Sequence, residues 1–414
     1  MKTTRYRRIY LSQYLVVALA LILVVGLGFL GRWVMQQVPY EDQFIIPWAA
    51  GRAWLLDGVN PYDPQVIDLA SATLANSAFQ GQLPLVAEFT APVLNLVFSL
   101  PLSLLPYEIA RTVWVVLLIA CLGGMGFLML KLSNWKTSLP EKVVVIVLLT
   151  TWLPGLHLVL MGSSIPIVLA LLLFGVYALL KGKDTLAGFL LALTFGSVQI
   201  TFLILLLLIL WAVFHQRWSV LVAYFSGLGF LWVVSLILLP AWPSGWLSAI
   251  LNNYFNLDWV HTPLMPLSGI LPGISHYLSI GLHIGFAIYL LVVWGLSLGR
   301  REQAVEWRLF AILNLAFLFQ PENPGNQLYL TLPALFLAFK FWSERWGIVG
   351  RALSWLILLG LSILPWFVTE RALTFTSVTP FADLVVVLPL LAMAALISVR
   401  WWALNLPRLA FDKR

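Results

Sequence analysis

What most constrains this chain is the recurrence of apolar runs long enough to cross a bilayer, beginning near its start and continuing almost to its end. About 20 consecutive apolar residues make one crossing. Cut at its polar intervals, the sequence yields about twelve spans: 12–34, 89–106, 109–131, 142–160, 163–182, 186–213, 217–241, 275–298, 308–321, 326–343, 348–368 and 379–402. No interval between them is long enough to hold a soluble domain. Charged residues make up only 10% of the chain, against roughly 25% in soluble proteins, so lipid must be its solvent. The expectation is an all-α, polytopic integral membrane protein forming a single membrane domain over 1–414.

Charge sets the orientation. Lys2, Arg5, Arg7 and Arg8 precede an apolar run from Leu15 to Leu30. That run is longer than a signal-peptide core and lacks a small-x-small cleavage site, so it reads as a start-transfer segment with a cytoplasmic N-terminus. The loops at 214–217, 299–307 and 344–351 and the C-terminal tail then also fall in the cytoplasm. They carry Arg217, Arg300, Arg301, Arg345, Arg351, Arg408, Lys413 and Arg414, as the positive-inside rule requires. The expected location is the plasma (inner) membrane, multi-pass, with both termini cytoplasmic. Five lysines conflict with this parity: Lys131, Lys136, Lys142, Lys181 and Lys183 would face outward. A re-entrant 88–106 would shift the middle spans and remove part of the conflict. The net charge of +7 follows from these loop ends and implies no nucleic acid partner. The 20 Trp residues suit interfacial belts. Cys121, the single cysteine, excludes an intramolecular disulfide and reads as a small core residue.

Two long intervals remain on the outer side, 35–88 and 242–274. In the first, 43–57 reads as an apolar helix too short to cross, lying in the interface. A second helix is expected over 65–80, with Ile67, Ala70, Leu74 and Ala78 on one face. Asn60-Pro61 and Asp63-Pro64 force turns between them, with Asp57 and Asp63 as turn formers. The second interval gathers Asn252, Asn253, Asp258 and His261 among Trp and Pro. There is no Walker-type Gly-Lys-Ser loop, no His-Glu-x-x-His and no Gly-x-Ser-x-Gly. Those absences give no support to ATP-driven, metalloprotease or serine-hydrolase chemistry. Adjacent carboxylates, Glu41 and Asp42, stand at the expected membrane surface just after the first span. Asp42 occupies an N-cap position ahead of Phe44 and Trp48. A carboxylate reachable from water yet beside lipid is suited to act as a general base.

The stretch Asp42…Trp48-Ala49-Ala50-Gly51-Arg52-Ala53…Asp57-Gly58-Val59-Asn60-Pro61-Tyr62-Asp63 resembles glycosyltransferase family 87. These are polyprenol-phosphate-mannose-dependent mannosyltransferases of the GT-C superfamily. Phe89-Thr90-Ala91-Pro92…Leu104-Leu105-Pro106…Trp114 looks like a second block of that family, and Gly162-Ser163 is similar to its later Gly-Gln. The resemblance is carried mainly by the first third of the chain. Ser197-Val198 stands where the family often has Lys-Pro, and the segment Gln320 to Gln327 lacks the family's His.

The resemblance implies a GT-C-like fold with interfacial helices in the first outer loop. It implies a polyprenyl-phosphate sugar as co-substrate, a lipid-linked or glycan acceptor, transfer on the outer face with inversion, and no metal or other cofactor. Asp42 would be the general base. A lipid-phosphate donor needs a nearby cation, for which Arg52 and Arg371 are candidates; either could instead snorkel to headgroups. Glu41, Glu88, His261, His283 and Glu322 are further candidates for substrate contact, each with packing or solvation as its plain alternative. Two other readings stay open. One is a secondary transporter or lipid flippase; the other is an O-antigen-ligase-like enzyme that uses lipid diphosphates.

Overall fold

The computed structural model describes residues 25–84, 89, 91–256, 275–298, 305–317, 319, 324–368 and 382–403. It begins with α1 over residues 25–37, then β1 (Tyr40–Glu41), α2 (Ile45–Asp57), α3 (Gln65–Ala75) and β2 (Gly81–Gln82). A 3-10 turn, Val93–Asn95, leads into α4 (Leu96–Ser103), α5 (Tyr107–Ser133), α6 (Leu139–Thr150), α7 (Leu153–Met161) and α8 (Ile165–Leu180). Next come α9 (Asp184–Leu193), a 3-10 turn at Thr194–Ser197, α10 (Val198–Phe214), α11 (Trp218–Leu238) and α12 (Trp242–Asn256). The remaining elements are α13 (Ser275–Ser297), α14 (Val305–Phe317), a 3-10 stretch at Pro324–Thr331, α15 (Leu332–Trp346), α16 (Ile348–Val368) and α17 (Ala382–Ala403). Apart from the parallel two-residue bridge of β1 with β2, the described fold is all-α, as expected.

The count of twelve spans is not what the described helices show. Three of them, α5, α11 and α16, are long and apolar enough to cross alone, or four spans if the bent pair α6–α7 is one. That pair bends by 50°. Pro154 has no N–H to continue the α6 ladder, so the helix restarts at α7.

Two of the expected spans are replaced by other structures. Among its described residues, the interval 89–106 holds only the 3-10 turn and α4, an eight-residue helix with Pro101 inside it. At 1.5 Å per residue α4 is about 12 Å long, far short of a crossing. The interval 186–213 is a hairpin, α9 running out to Thr194–Ser197 and α10 running back. Arg217, just past α10, pairs with Asp184 at 2.7 Å and donates to the Leu179 carbonyl at 2.9 Å. Both feet of the hairpin therefore stand at one end of the bundle. Its tip reaches the 3-10 turn after Pro92, where Gly196 packs against Asn95 so closely that a Cβ would lie 3.2 Å from the Asn95 amide oxygen.

These corrections remove the charge conflict. At the end remote from Asp42, the Trp135 indole donates to Ser343 at 3.0 Å and Arg351 pairs with Glu141. Lys131, Lys136, Lys142, Lys181 and Lys183 occupy the helix ends there, with Arg217, Arg345 and Arg351. At the other end, the backbone N–H of Gln43 donates to Met161 at 2.8 Å, and Gly245 of α12 abuts the Tyr62 ring. One end of the bundle is strongly basic and the other carries the loop 35–88.

Within that loop, α2 is 13 residues long, roughly 20 Å, which is too short to cross a bilayer. It packs on α3 and α4. Gly58, with φ of +67°, ends it by donating to the Ala53 carbonyl. The Asp63 carboxylate accepts from the Gln65 N–H at 3.0 Å and starts α3. The buried face of α3 is Val66, Ala70 and Leu74, spaced i, i+4, i+8. It is rotated from the expected one, since Ile67 is half-buried and Ala78 is exposed.

Candidate active site

Asp42 lies where β1 gives way to α2, and its two carboxylate oxygens face different partners. Oδ1 accepts the backbone N–H groups of Phe44 at 2.8 Å and Ile45 at 3.2 Å, which is the capping role its position predicts. Oδ2 accepts from Arg111 Nε at 2.9 Å, from the Tyr107 hydroxyl, and from the Tyr40 hydroxyl at 3.3 Å. The expected solvation of Asp42 is not found: its side chain and that of Arg111 are both 0% exposed. An unpaired carboxylate at that depth would be prohibitive, and Arg111 removes the difficulty by supplying the opposite charge.

Every wall of this nest traces to a sequence choice. Tyr107 and Arg111 are four residues apart on α5, so one helical face presents both to Asp42. Arg111 also donates to the Leu160 carbonyl at the end of α7. Gly162, with φ of +71°, lets α7 stop there; a Cβ would sit 2.9 Å from both the Arg111 guanidinium carbon and Phe44 Cβ. Trp114, one turn beyond Arg111, stacks on Phe44 at 4.9 Å and donates its indole N–H to the Gly162 carbonyl at 2.9 Å. The Tyr40 ring covers the guanidinium at 5.5 Å. Trp48 and Phe79 meet the Tyr107 ring edge-on at 5.4 and 6.2 Å. Burial first, and the Asp42 charge second, push the Tyr40 phenol well above its ordinary range. Tyr40 therefore remains a protonated donor to Oδ2.

Of the remaining expected residues, Arg52 is half-buried on α2. It stacks over Trp48 at 5.3 Å, as a spacing of four predicts, and donates to the Ser103 carbonyl at 3.2 Å. Glu41, expected to be solvated, is half-buried in the β1–β2 bridge. Glu88, His261, Glu322 and Arg371 lie outside the described residues, as does the His283 side chain. Among the described residues no three His, Cys, Asp or Glu side chains group to hold a metal. The structure thus joins Asp42 to three residues that sequence reasoning did not single out: Tyr40, Tyr107 and Arg111. One signal was available, because Arg111 is a charge inside an expected span, and such charges are costly unless they have a partner or a role.

A family model described as Glycosyltransferase family 87 matches residues 89–321, more than half of the chain. The match starts downstream of Asp42, beyond the block in which the resemblance was first legible. It takes in Tyr107, Arg111, Trp114 and Gly162. Comparison with curated proteins and with solved structures returned no match. With the helical bundle of a membrane protein and a match of this extent, the chain belongs to glycosyltransferase family 87 and is a membrane glycosyltransferase.

Proposed function

We propose that this enzyme transfers a sugar, mannose by family resemblance, from a polyprenyl-phosphate donor to a hydroxyl of a lipid-linked or glycan acceptor. The reaction takes place at the Asp42 end of the bundle, which faces the outside of the plasma membrane. The observation that carries this reading is a fully buried, ion-paired carboxylate at the end of the bundle opposite the basic one. The positive-inside rule supports placing the basic end in the cytoplasm.

In this mechanism Asp42 is the general base. Of the three donors on Oδ2, Tyr40 is held at 3.3 Å against 2.9 Å for Arg111, so Tyr40 is the contact that an acceptor hydroxyl replaces. The acceptor oxygen attacks the anomeric carbon while its proton passes to Oδ2. The bond from that carbon to the phosphate oxygen breaks, and the phosphate leaves with the electron pair. One displacement inverts the anomeric centre. Arg52, further along α2, meets the departing phosphate, and holding donor and acceptor at one depth supplies much of the acceleration.

The five donors on the Asp42 carboxylate favour a second reading. A carboxylate offers about four lone-pair sites, and here all are engaged. Asp42 would then only fasten the loop to α5. Turnover by a charge-neutral Asp42→Asn/Arg111→Met pair separates the two.

The donor class is tested by incubating purified protein and a membrane lipid extract with radiolabelled polyprenyl-phosphate mannose or a radiolabelled nucleotide sugar. Labelled product from the lipid donor alone is the expected result. Turnover from the nucleotide sugar with none from polyprenyl-phosphate sugars overturns the proposal.

A further inference from the structure

Arg111 is more confined than a counter-ion needs to be. Its Nε is on Asp42 Oδ2 at 2.9 Å, and a second nitrogen, Nη2, is on the Leu160 carbonyl. The Tyr40 ring lies over one side of the guanidinium, and Gly162 and Phe44 close the approach near its central carbon. The third nitrogen, Nη1, is buried without a hydrogen-bond partner. A buried donor left unpaired is unfavourable, so satisfying every guanidinium N–H is not what fixes this side chain. Two bonds of fixed direction tie the Asp42 carboxylate to the end of α7, and so tie the loop of β1 and α2 to two helices of the bundle.

We infer that Arg111 is a positioning residue for sugar transfer, setting the place and orientation of Oδ2 relative to the acceptor hydroxyl. The inference rests on the reading of Asp42 as the base, and Arg111 acts through Asp42 without touching either substrate. The planar fork is what matters. It reaches Asp42 and Leu160 together, whereas a lysine ammonium presents one point charge on a flexible stem. With lysine in place the charge survives, but the two-point tie between the carboxylate and α7 does not. An Oδ2 displaced by about 1 Å costs on the order of 100-fold in rate, while the donor, held elsewhere, binds as before.

The test uses full-length protein in lipid nanodiscs, wild type beside Arg111→Lys and Arg111→Gln. kcat and the donor KM are measured with polyprenyl-phosphate mannose and a membrane lipid extract, scaled to the monodisperse folded fraction. The expected result for Arg111→Lys is kcat down by roughly 10- to 100-fold, with the donor KM within about 3-fold of wild type. Arg111→Gln, without charge or fork, should lose at least as much. A folded variant that keeps kcat within about 2-fold of wild type, or one that changes KM alone, overturns the inference. Failure of both variants to fold also overturns it, because Arg111 would then serve the fold only. Arg111→Lys with normal kcat beside a folded but inactive Asp42→Asn would remove the inference and leave the catalytic reading intact. A folded wild type that transfers no sugar from any polyprenyl phosphate removes the reading, and the inference with it.

Discussion

The Asp42–Arg111 pair and the two pairs at the basic end use the same chemistry in opposite surroundings, and the loop end also holds a pair of the exposed kind, Arg32–Glu108 at 3.6 Å. At the basic end, Arg217–Asp184 closes the foot of the α9–α10 hairpin with side chains 24% and 22% exposed. Arg351–Glu141 ties α16 to α6 with side chains 45% and 23% exposed. At the loop end, Asp42–Arg111 is wholly enclosed, with two tyrosine hydroxyls and two backbone N–H groups completing it. Water screens the first two, and such pairs contribute about 0–1 kcal/mol. The buried pair gains little over a well-packed apolar replacement, yet losing one partner leaves an uncompensated charge. A bundle that needed only fastening could use the exposed kind throughout. An enclosed pair at the loop end fits a demand for fixed geometry, which is what a reacting carboxylate requires.

Arg111→Met should break this contrast most severely. It strands Asp42 in the interior, with an expected loss of about 3–5 kcal/mol, read as lost monodispersity and a lower unfolding midpoint in detergent. The Asp42→Asn variant is not the quiet chemical probe that its capping position alone implies. An amide at that place turns one acceptor into a donor against Arg111, Tyr107 or the α2 N–H groups, so it too should destabilise. A stable Arg111→Met protein would show that water reaches the pair and that the two ends differ less than they look.

Gly162→Ala comes next. It forces a Cβ onto a left-handed residue, costing about 1–3 kcal/mol, and sets that Cβ 2.9 Å from Arg111 and Phe44. Turnover should fall further than stability does, because the atom displaced is the carbon of the guanidinium. A variant that loses stability but keeps full turnover would dissociate the nest from the chemistry.

The smallest effects are expected at the basic end. Arg217→Gln and Arg351→Gln should each cost about 1 kcal/mol or less, with turnover unchanged when scaled to folded protein. A large activity loss from either would mean that the hairpin or α16 communicates with the site. That result would erase the distinction between the two ends.

The legibility of this chain in its sequence follows the same division. The membrane class was plain from apolar runs, and α2, the turn at Asn60-Pro61 and the capping by Asp42 followed from local rules. The spans 89–106 and 186–213 misled because a window of hydropathy cannot see where a chain turns back. Both average as apolar, so the local breakers Pro92, Pro101 and Pro106 in one and Gly196-Ser197 in the other are lost in the window. The contact that pins the second break, Gly196 against Asn95, is tertiary. For the same reason Lys131, Lys136, Lys142, Lys181 and Lys183, split from Arg217, Arg345 and Arg351 by the span list, gather with them at one end of the bundle. At the site, Asp42 stood out because it begins a polar interval. Its partners did not, because Arg111 is 69 positions away and periodicity within one helix says nothing of what that helix faces. The burial of Asp42 was beyond reach for that reason: solvation is a property of the assembled loop, α5 and α7.

The most direct test of the central claim, that the enclosed carboxylate does chemistry and not only fastening, is the turnover of Asp42→Asn/Arg111→Met. Removing both charges together avoids the stranded partner and the clash of an amide N–H with the guanidinium. The expected outcome is a folded protein that binds polyprenyl-phosphate sugar as wild type does, with turnover lower by on the order of 100-fold or more. Turnover within a few-fold of wild type in that folded double variant would contradict it, and Asp42 would be a structural residue of the loop.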